Sequence, residues 1–483
     1  MAQTQRRHHS ASRRGRRQGA AAAGLAIVAS LSGCASVPTG IQTIGHDLFG
    51  HSTLALSGYV GTVVTDEPQA ALTGREVLVR GGNAADAAAA VGLALSVTLP
   101  SRASLGGGGA CIAAKPGEPA QSFLFLPVAG SAPNAGDRPA AVPMLARGLY
   151  LMQLRYGSVD FSDTVAPAES LARNGITVSR VFAGDLAAVQ SALLADDNIR
   201  STFTRADGSV VQSGDTLVQP RLAAFLSRLR AQGVGDLYDG PLAHLYAQAA
   251  TASGGGLDAS DLRRALPSQT STLHVTEGSV TAEFVAPPAD GGLGAASVFA
   301  SHGARSADGV IAAWRAAHPE SQSGAAAVNT DAAALTSAAQ AALDSGAGGS
   351  GALPALPATT SYVVVDRSGE AVACALSDGN LFGTGRMAGS TGIVMGASPA
   401  HAPAPVLPAA ILRRGRALSA VLAASGQGSA ATALGHAAVS EASGDTPEHT
   451  GLGRVNSAIC TGNEQCRGDT DPRGDGLATG DAH

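Results

Sequence analysis

The stretch Ala358-Thr359-Thr360-Ser361-Tyr362-Val363-Val364-Val365-Asp366 places hydroxyl side chains at the head of an apolar β run. A Pro/Ala/Gly-rich approach, Gly346 to Pro357, leads into it. A hydroxyl at the first position of a buried strand is held rigidly by the sheet yet can be reached past the strand's end. If the chain were cut between Ala358 and Thr359, Thr359 would gain a free α-amine with a pKa of ~7.7–8.0, near working pH. That amine takes the proton of its own hydroxyl, so one residue supplies both nucleophile and base. The same stretch also reads as an ordinary Thr-rich strand, because Thr favours strands. The rest of the chain must separate the two readings.

The elements that would position such a residue are legible on both sides of it. Tyr59 to Val64 reads as a strand, and Asp66 then heads a helix with Pro68 in its first turn and Gly81-Gly82 at its stop. Asn83 opens a second, Ala-rich helix, Ala84 to Val97, ended by Pro100. Gly106 to Gly109 lead into a strand, Ala110 to Ala114, with no Gly-Lys-Ser/Thr behind them. They therefore predict a tight bend and not a phosphate loop. Residues 142–262 read as mainly helical, interrupted by a hairpin signal in which Thr202–Arg205 and Ser209–Val211 flank Ala206-Asp207-Gly208. Strands return at 272–276, 280–285, 360–366 and 370–375. Cys111 and Cys374 lie in apolar strand-like runs and read as buried core thiols. No Cys/His spacing suggests zinc, no HExxH or GxSxG is present, and no internal repeat stands out.

The chain has 483 residues, 45% hydrophobic and 14% charged, a globular balance with room for one large core. Residues 1–33 are a separate object. Six arginines precede an apolar run, Ala20 to Leu31, that ends in Leu31-Ser32-Gly33-Cys34. A basic start, a short apolar core and small residues before a Cys describe a bacterial lipoprotein signal, with Cys34 as the lipidated residue. Ala35 after it, by resemblance to known lipoproteins, implies a periplasmic protein anchored at the outer membrane. Residues 34–57 then read as a tether. Without residues 1–33 the chain keeps 26 basic against 37 acidic side chains, a net charge of −11. That excludes a nucleic-acid-binding footprint. Residues 446–483 read as a polar, turn-rich surface tail. Within it Cys460 and Cys466 are expected to pair in an oxidising compartment.

The order of these motifs resembles the γ-glutamyltransferase family, also called γ-glutamyltranspeptidase or glutathione hydrolase. Thr65-Asp66-Glu67-Pro68 to Leu99-Pro100, with Gly81-Gly82-Asn83-Ala84-Ala85-Asp86 inside it, is similar to the family's N-terminal block. Leu105 to Gly109 is similar to its glycine run, and Ser213 to Gln219 and Leu237 to Gly240 to its middle helices. Thr359-Thr360-Ser361-Tyr362, Phe382-Gly383-Thr384-Gly385 and Ala388 to Ile393 are similar to its small subunit. The resemblance runs collinearly over roughly residues 57–435. It implies an α/β N-terminal-nucleophile fold, a four-layer αββα sandwich of two mainly antiparallel sheets flanked by helices. In it 58–358 would form a large-subunit-like region and 359–445 a small-subunit-like region of one domain. It further implies self-cleavage after Ala358, Thr359 as nucleophile on the γ-glutamyl amide of glutathione or a related small molecule, and transfer to water or an amino acid. Ser377 falls where the family has a second Thr that bonds the nucleophile. No cofactor and no metal is implied, and the only partners are the two fragments of the same chain.

The resemblance weakens where a glutamyl group should be held. Leu126 falls on the family Arg that takes the substrate α-carboxylate. Gly379 falls on a substrate-binding Asn, with Asn380 adjacent as a substitute. No acid lies at Ser398 to His401, where one is expected for the α-amine. Ala404-Pro405 falls on a Ser-Ser pair, and Gln427-Gly428 on the Gly-Gly whose amides form the oxyanion hole. A charge-assisted hydrogen bond contributes ~1.5–3 kcal/mol, so losing both charged anchors weakens glutamyl recognition by several powers of ten. Two alternatives to γ-glutamyl transfer follow: an amidase for another, less charged acyl group, or a lipoprotein that keeps the fold for binding without catalysis.

Overall fold

Tyr362 and Val364 pack on one side of their strand and Val363 and Val365 on the other, all fully buried. A strand apolar on both faces needs cover on both, and that requirement sets the layering. A computed structural model describes residues 41–43, 54–56, 58–131, 136–319, 331–354, 358–426, 428–445, 451, 453–461 and 465–480. All of them fall in one compact unit, Gly40–His483.

Thirteen strands build its two large sheets. In chain order the first six are β1 (Gly61–Thr65), β2 (Gly108–Ala114), β3 (Gln121–Phe125), β4 (Ser268–Ser271), β5 (Leu273–Glu277) and β6 (Val280–Phe284). The rest are β7 (Thr359–Asp366), β8 (Ala371–Ser377), β9 (Ala409–Arg414), β10 (Ala417–Ser425), β11 (Arg454–Thr461), β12 (Gln465–Asp469) and β13 (Leu477–Thr479). One sheet runs β4-β3-β2-β8-β7-β1-β13 and the other β5-β6-β9-β10-β11-β12, with every neighbour antiparallel. The sheets meet across Ile112, Val363, Val365, Ile411 and Val421. Helices α1 (Pro68–Val79) and α2 (Ala84–Thr98) cover the outer side of the first sheet. Helices α3 (Gly291–Ala300) and α4 (Ser429–Ser443) cover the second. The architecture is a four-layer αββα sandwich.

Helix α2 is buried along its whole length, which its Ala-rich sequence permits. Asn83 caps it: its side chain accepts from the Asp86 N–H while Asp86 accepts from the Asn83 N–H. That reciprocal box satisfies two otherwise orphaned donors. Gly107 and Gly108 in the bend before β2 have no room for a side chain. A Cβ on Gly107 would lie 2.1 Å from Asp378 Oδ1, and one on Gly108 2.2 Å from the Phe125 carbonyl oxygen.

Four sequence expectations differ from what the structure contains. The cap of α1 is Glu67, whose carboxylate accepts from the Ala70 N–H, and Asp66 turns into the protein instead. Cys111 and Cys374 are not thiols. Antiparallel pairing sets them directly opposite each other on β2 and β8, and they form a disulfide. Thr202 and Phe203 close a helix, Asp197–Phe203, leaving a single bridge, Thr204 to Val210, where a hairpin was expected. The segment 446–483 is not only a surface tail: β11 and β12 complete one sheet and β13 the other. Edge strands bury only part of each face, so their polar composition does not announce them. Within 34–57, Ile41–Thr43 pairs with Leu54–Leu56.

Candidate active site

Thr359 is the first residue of β7, and the sheet register sets it directly opposite Ser377, the last residue of β8. Both are buried, Thr359 with 1% of its surface exposed. Thr359 Oγ1 accepts a hydrogen bond from the Gly426 N–H at 3.1 Å. Gly426 follows β10 with φ +111, a backbone geometry natural to glycine, and packs against Gly453. Ser377 Oγ donates to the Ala358 carbonyl oxygen at 2.7 Å and accepts from the Gly379 N–H at 2.9 Å. A hydroxyl has one proton to give and lone pairs to receive, so Ser377 is satisfied on both sides. Gly379 has φ +77, in the left-handed region that favours glycine. The peptide carbonyl before Thr359 is thus held by a hydroxyl, while the Thr359 oxygen is held by a backbone amide.

Asp66 ties these strand ends together from inside. Its Oδ2 accepts from Thr360 Oγ1 at 2.9 Å, the Ser361 N–H at 3.1 Å and Ser425 Oγ at 3.1 Å. Its Oδ1 accepts from Asn456 Nδ2 at 2.9 Å, and the same amide nitrogen donates to the Ser361 carbonyl oxygen at 2.9 Å. One buried carboxylate therefore fixes β7 against β10 and β11, and with them the Gly426 amide. Sequence reasoning missed Asp66 and Asn456 in this role. The partners of Asp66 lie 294 to 390 residues away and Ser361 lies 95 from Asn456, so only the register brings them together.

Two further acids flank the site. Asp378, directly after Ser377, is fully enclosed, and burial pushes its carboxyl up to about 7. The Ser104 N–H and hydroxyl, 2.8 and 2.9 Å from Oδ1, pull the other way without cancelling it. Asp185, on the helix Arg180–Leu193, makes a two-pronged pair with Arg102 at 2.7 and 2.8 Å. The remaining Arg102 nitrogen, Nη1, donates to the Thr359 carbonyl oxygen at 3.4 Å.

The other expected site residues lie in different surroundings. Asn380 is half-buried and its Oδ1 accepts from the adjacent Leu381 N–H; among the described residues none of its hydrogen bonds reaches Thr359. Gly428 stands at the start of α4, where a side chain would face Asp308 and Leu353. Gln427 and Cys34 lie outside the described residues. Cys460 and Cys466 are paired across β11 and β12 and joined by a disulfide. Leu126 packs half-buried against the core between the sheets. Pro405 is buried and Ala404 half-buried, and Ser398 is buried with no acid among its neighbours to His401.

The family model described as Gamma-glutamyltranspeptidase matches residues 70–302. The glutathione hydrolase proenzyme of Escherichia coli (strain K12) is 31% identical over 294 residues, covering 56% of this chain and 50% of that protein. The acylase ACY 1 proenzyme of Pseudomonas sp. (strain SE83) is 29% identical over 229 residues, 43% of this chain and 41% of that one. The chain spans about half the length, or less, of these curated relatives. A cephalosporin acylase from Bacillus halodurans has a similar fold, with a TM-score of 0.68 at 16% identity over 90% of this chain and 98% of that chain. The family model runs from α1 to the end of α3, just under half of the chain, and over that stretch the chain is similar to the γ-glutamyltranspeptidase family.

Proposed function

We propose that this chain is an acyl-transfer enzyme of the N-terminal-nucleophile type, acting on glutathione and other γ-glutamyl amides through Thr359. The observation that carries the reading is the pairing of Thr359 with Ser377 and Gly426 around the Ala358 carbonyl. In self-cleavage, Thr359 Oγ1 attacks the Ala358 carbonyl carbon, and the amide between Ala358 and Thr359 breaks as an ester forms. The Ser377 hydroxyl, already on the carbonyl oxygen, stabilises the negative charge that develops there. Water then hydrolyses the ester, leaving an Ala358 carboxylate and a free Thr359 amine. In turnover that amine takes the hydroxyl proton as Thr359 Oγ1 attacks the substrate carbonyl, and passes it to the departing amine. Water or an acceptor amine completes the transfer.

A second reading, an amidase for another acyl group, is favoured by Leu126 at the place of the expected arginine and by the similarity to an acylase. The signal ending in Cys34 supports a lipid-anchored protein of the bacterial envelope, tested by the mass of the mature N-terminus. Thr359→Ala tests the mechanism: it is expected to abolish both the cut and amide turnover. A Thr359→Ala chain that is still cut after Ala358 would end the proposal.

A further inference from the structure

A cavity of about 300 Å³ is lined by Arg102, Arg180, Arg454, Arg473 and Asp185. One of its walls touches Thr359 and another adjoins the strand end that holds it. Arg102 donates to the Thr359 carbonyl oxygen. Arg454 is paired by register with Ser425, the residue before the Gly426 amide that holds Thr359 Oγ1.

Three of the four arginines are matched to carboxylates. Arg102 is matched by Asp185, Arg180 by Asp475 at 2.8 Å and Arg473 by Asp471 at 2.8 Å. Among the described residues Arg454 has no carboxylate partner, and its Nη1 is buried without an acceptor. A covered guanidinium nitrogen with nothing to donate to is costly, and buried charges are ordinarily paired. A guanidinium offers a planar fork that matches a carboxylate.

We infer that Arg454 is a specificity-determining residue that receives a carboxylate carried by the amide substrate. Arg102 and Arg473 line the same cavity but are committed to their aspartates. The cavity thereby supplies, on the β11 side of Thr359, the cation that Leu126 does not supply near the end of β3. The carboxylate comes from either the acyl group or the departing amine, and the inference rests on the reading of Thr359 as the nucleophile.

Three amides test it: glutaryl-p-nitroanilide, with a carboxylate on the acyl side; N-butyryl-4-aminobenzoate, with one on the amine side; and butyryl-p-nitroanilide, with none. In Arg454→Gln the kcat/KM of one carboxylate-bearing amide relative to butyryl-p-nitroanilide is expected to fall by about tenfold or more, carried by KM. Which amide shows the fall identifies the side that Arg454 holds. Arg454→Lys keeps the charge without the fork and is expected to fall less; it also serves if the Gln variant does not fold. Ratios equal to wild type for both amides in a folded variant overturn the assignment. If wild-type protein cleaves none of the three, the Thr359 reading is judged by the Thr359→Ala test on γ-glutamyl amides, and the cavity by calorimetric titration with glutarate. Binding that is lost in Arg454→Gln then supports it, whereas binding equal in both proteins, or absent from wild type at millimolar glutarate, overturns it.

Discussion

Ser377→Ala separates the chemistry of self-cleavage from the integrity of the fold. The Ser377 hydroxyl donates to the Ala358 carbonyl oxygen at 2.7 Å, the oxygen that becomes negative when Thr359 attacks. Removing one such donor typically costs ~2.7–4 kcal/mol of transition-state stabilisation, so the cut should slow by about 10²–10³-fold. The same change orphans the Gly379 N–H, which now donates to Ser377 Oγ at 2.9 Å. An unsatisfied buried group costs ~1–3 kcal/mol of folding stability, and this contribution must be read separately. Ser377→Thr keeps the hydroxyl and should retain most of the rate. The assay is a time course of fragment appearance on denaturing, reducing gels, with urea unfolding of each variant in parallel. A folded Ser377→Ala protein that is cut at the wild-type rate would refute the assignment of Ser377 to the developing charge, whatever its stability.

Other outcomes follow from the same geometry. Asp66→Ala removes the acceptor shared by Thr360, Ser361, Ser425 and Asn456 and should lower stability by ~3 kcal/mol or more, read from the urea midpoint; a loss under ~1 kcal/mol would show that the hub does not hold the strands. Asp378 gives a pH dependence. Its carboxyl sits at about 7 in the folded chain and near 3.8 when unfolded, so the folded state binds the extra proton between those values. Stability should therefore fall as pH rises from about 4 to about 7, by up to roughly 4 kcal/mol. Asp378→Asn should flatten that slope, and an unchanged slope would remove Asp378 as its source. Thr359→Ala should yield one uncut chain, and Arg454→Gln should shift the preference between charged and uncharged amides as set out above.

Local rules made part of this site readable. Thr359 at the head of an apolar run, the bend at Gly106–Gly109 and the Asn83 cap depend on neighbours within a few residues, and sequence carries that information. Asp66 shows the limit. An acid shortly before a helix is ordinarily its cap, and here Glu67, one position on, caps α1 while Asp66 serves strands from the other end of the chain. Arg454 and Asn456 were hidden in a polar segment that reads as tail because β11, next to the edge of its sheet, is only part-buried. The Cys111–Cys374 bond was hidden by its setting: buried thiols and a buried disulfide both sit in apolar strands, and only the register of β2 on β8 distinguishes them.

That bond also changes what a successful cut looks like. Cys111 precedes the junction at Ala358–Thr359 and Cys374 follows it, so the disulfide bridges the proposed break. A hydrolysed chain would stay one covalent molecule, heavier than its precursor by a single water, and would part into two only when a thiol reagent reached the β2–β8 pair. The strand bearing the new N-terminus would therefore remain tethered to the half it was cut from, and dilution alone could not disperse the site.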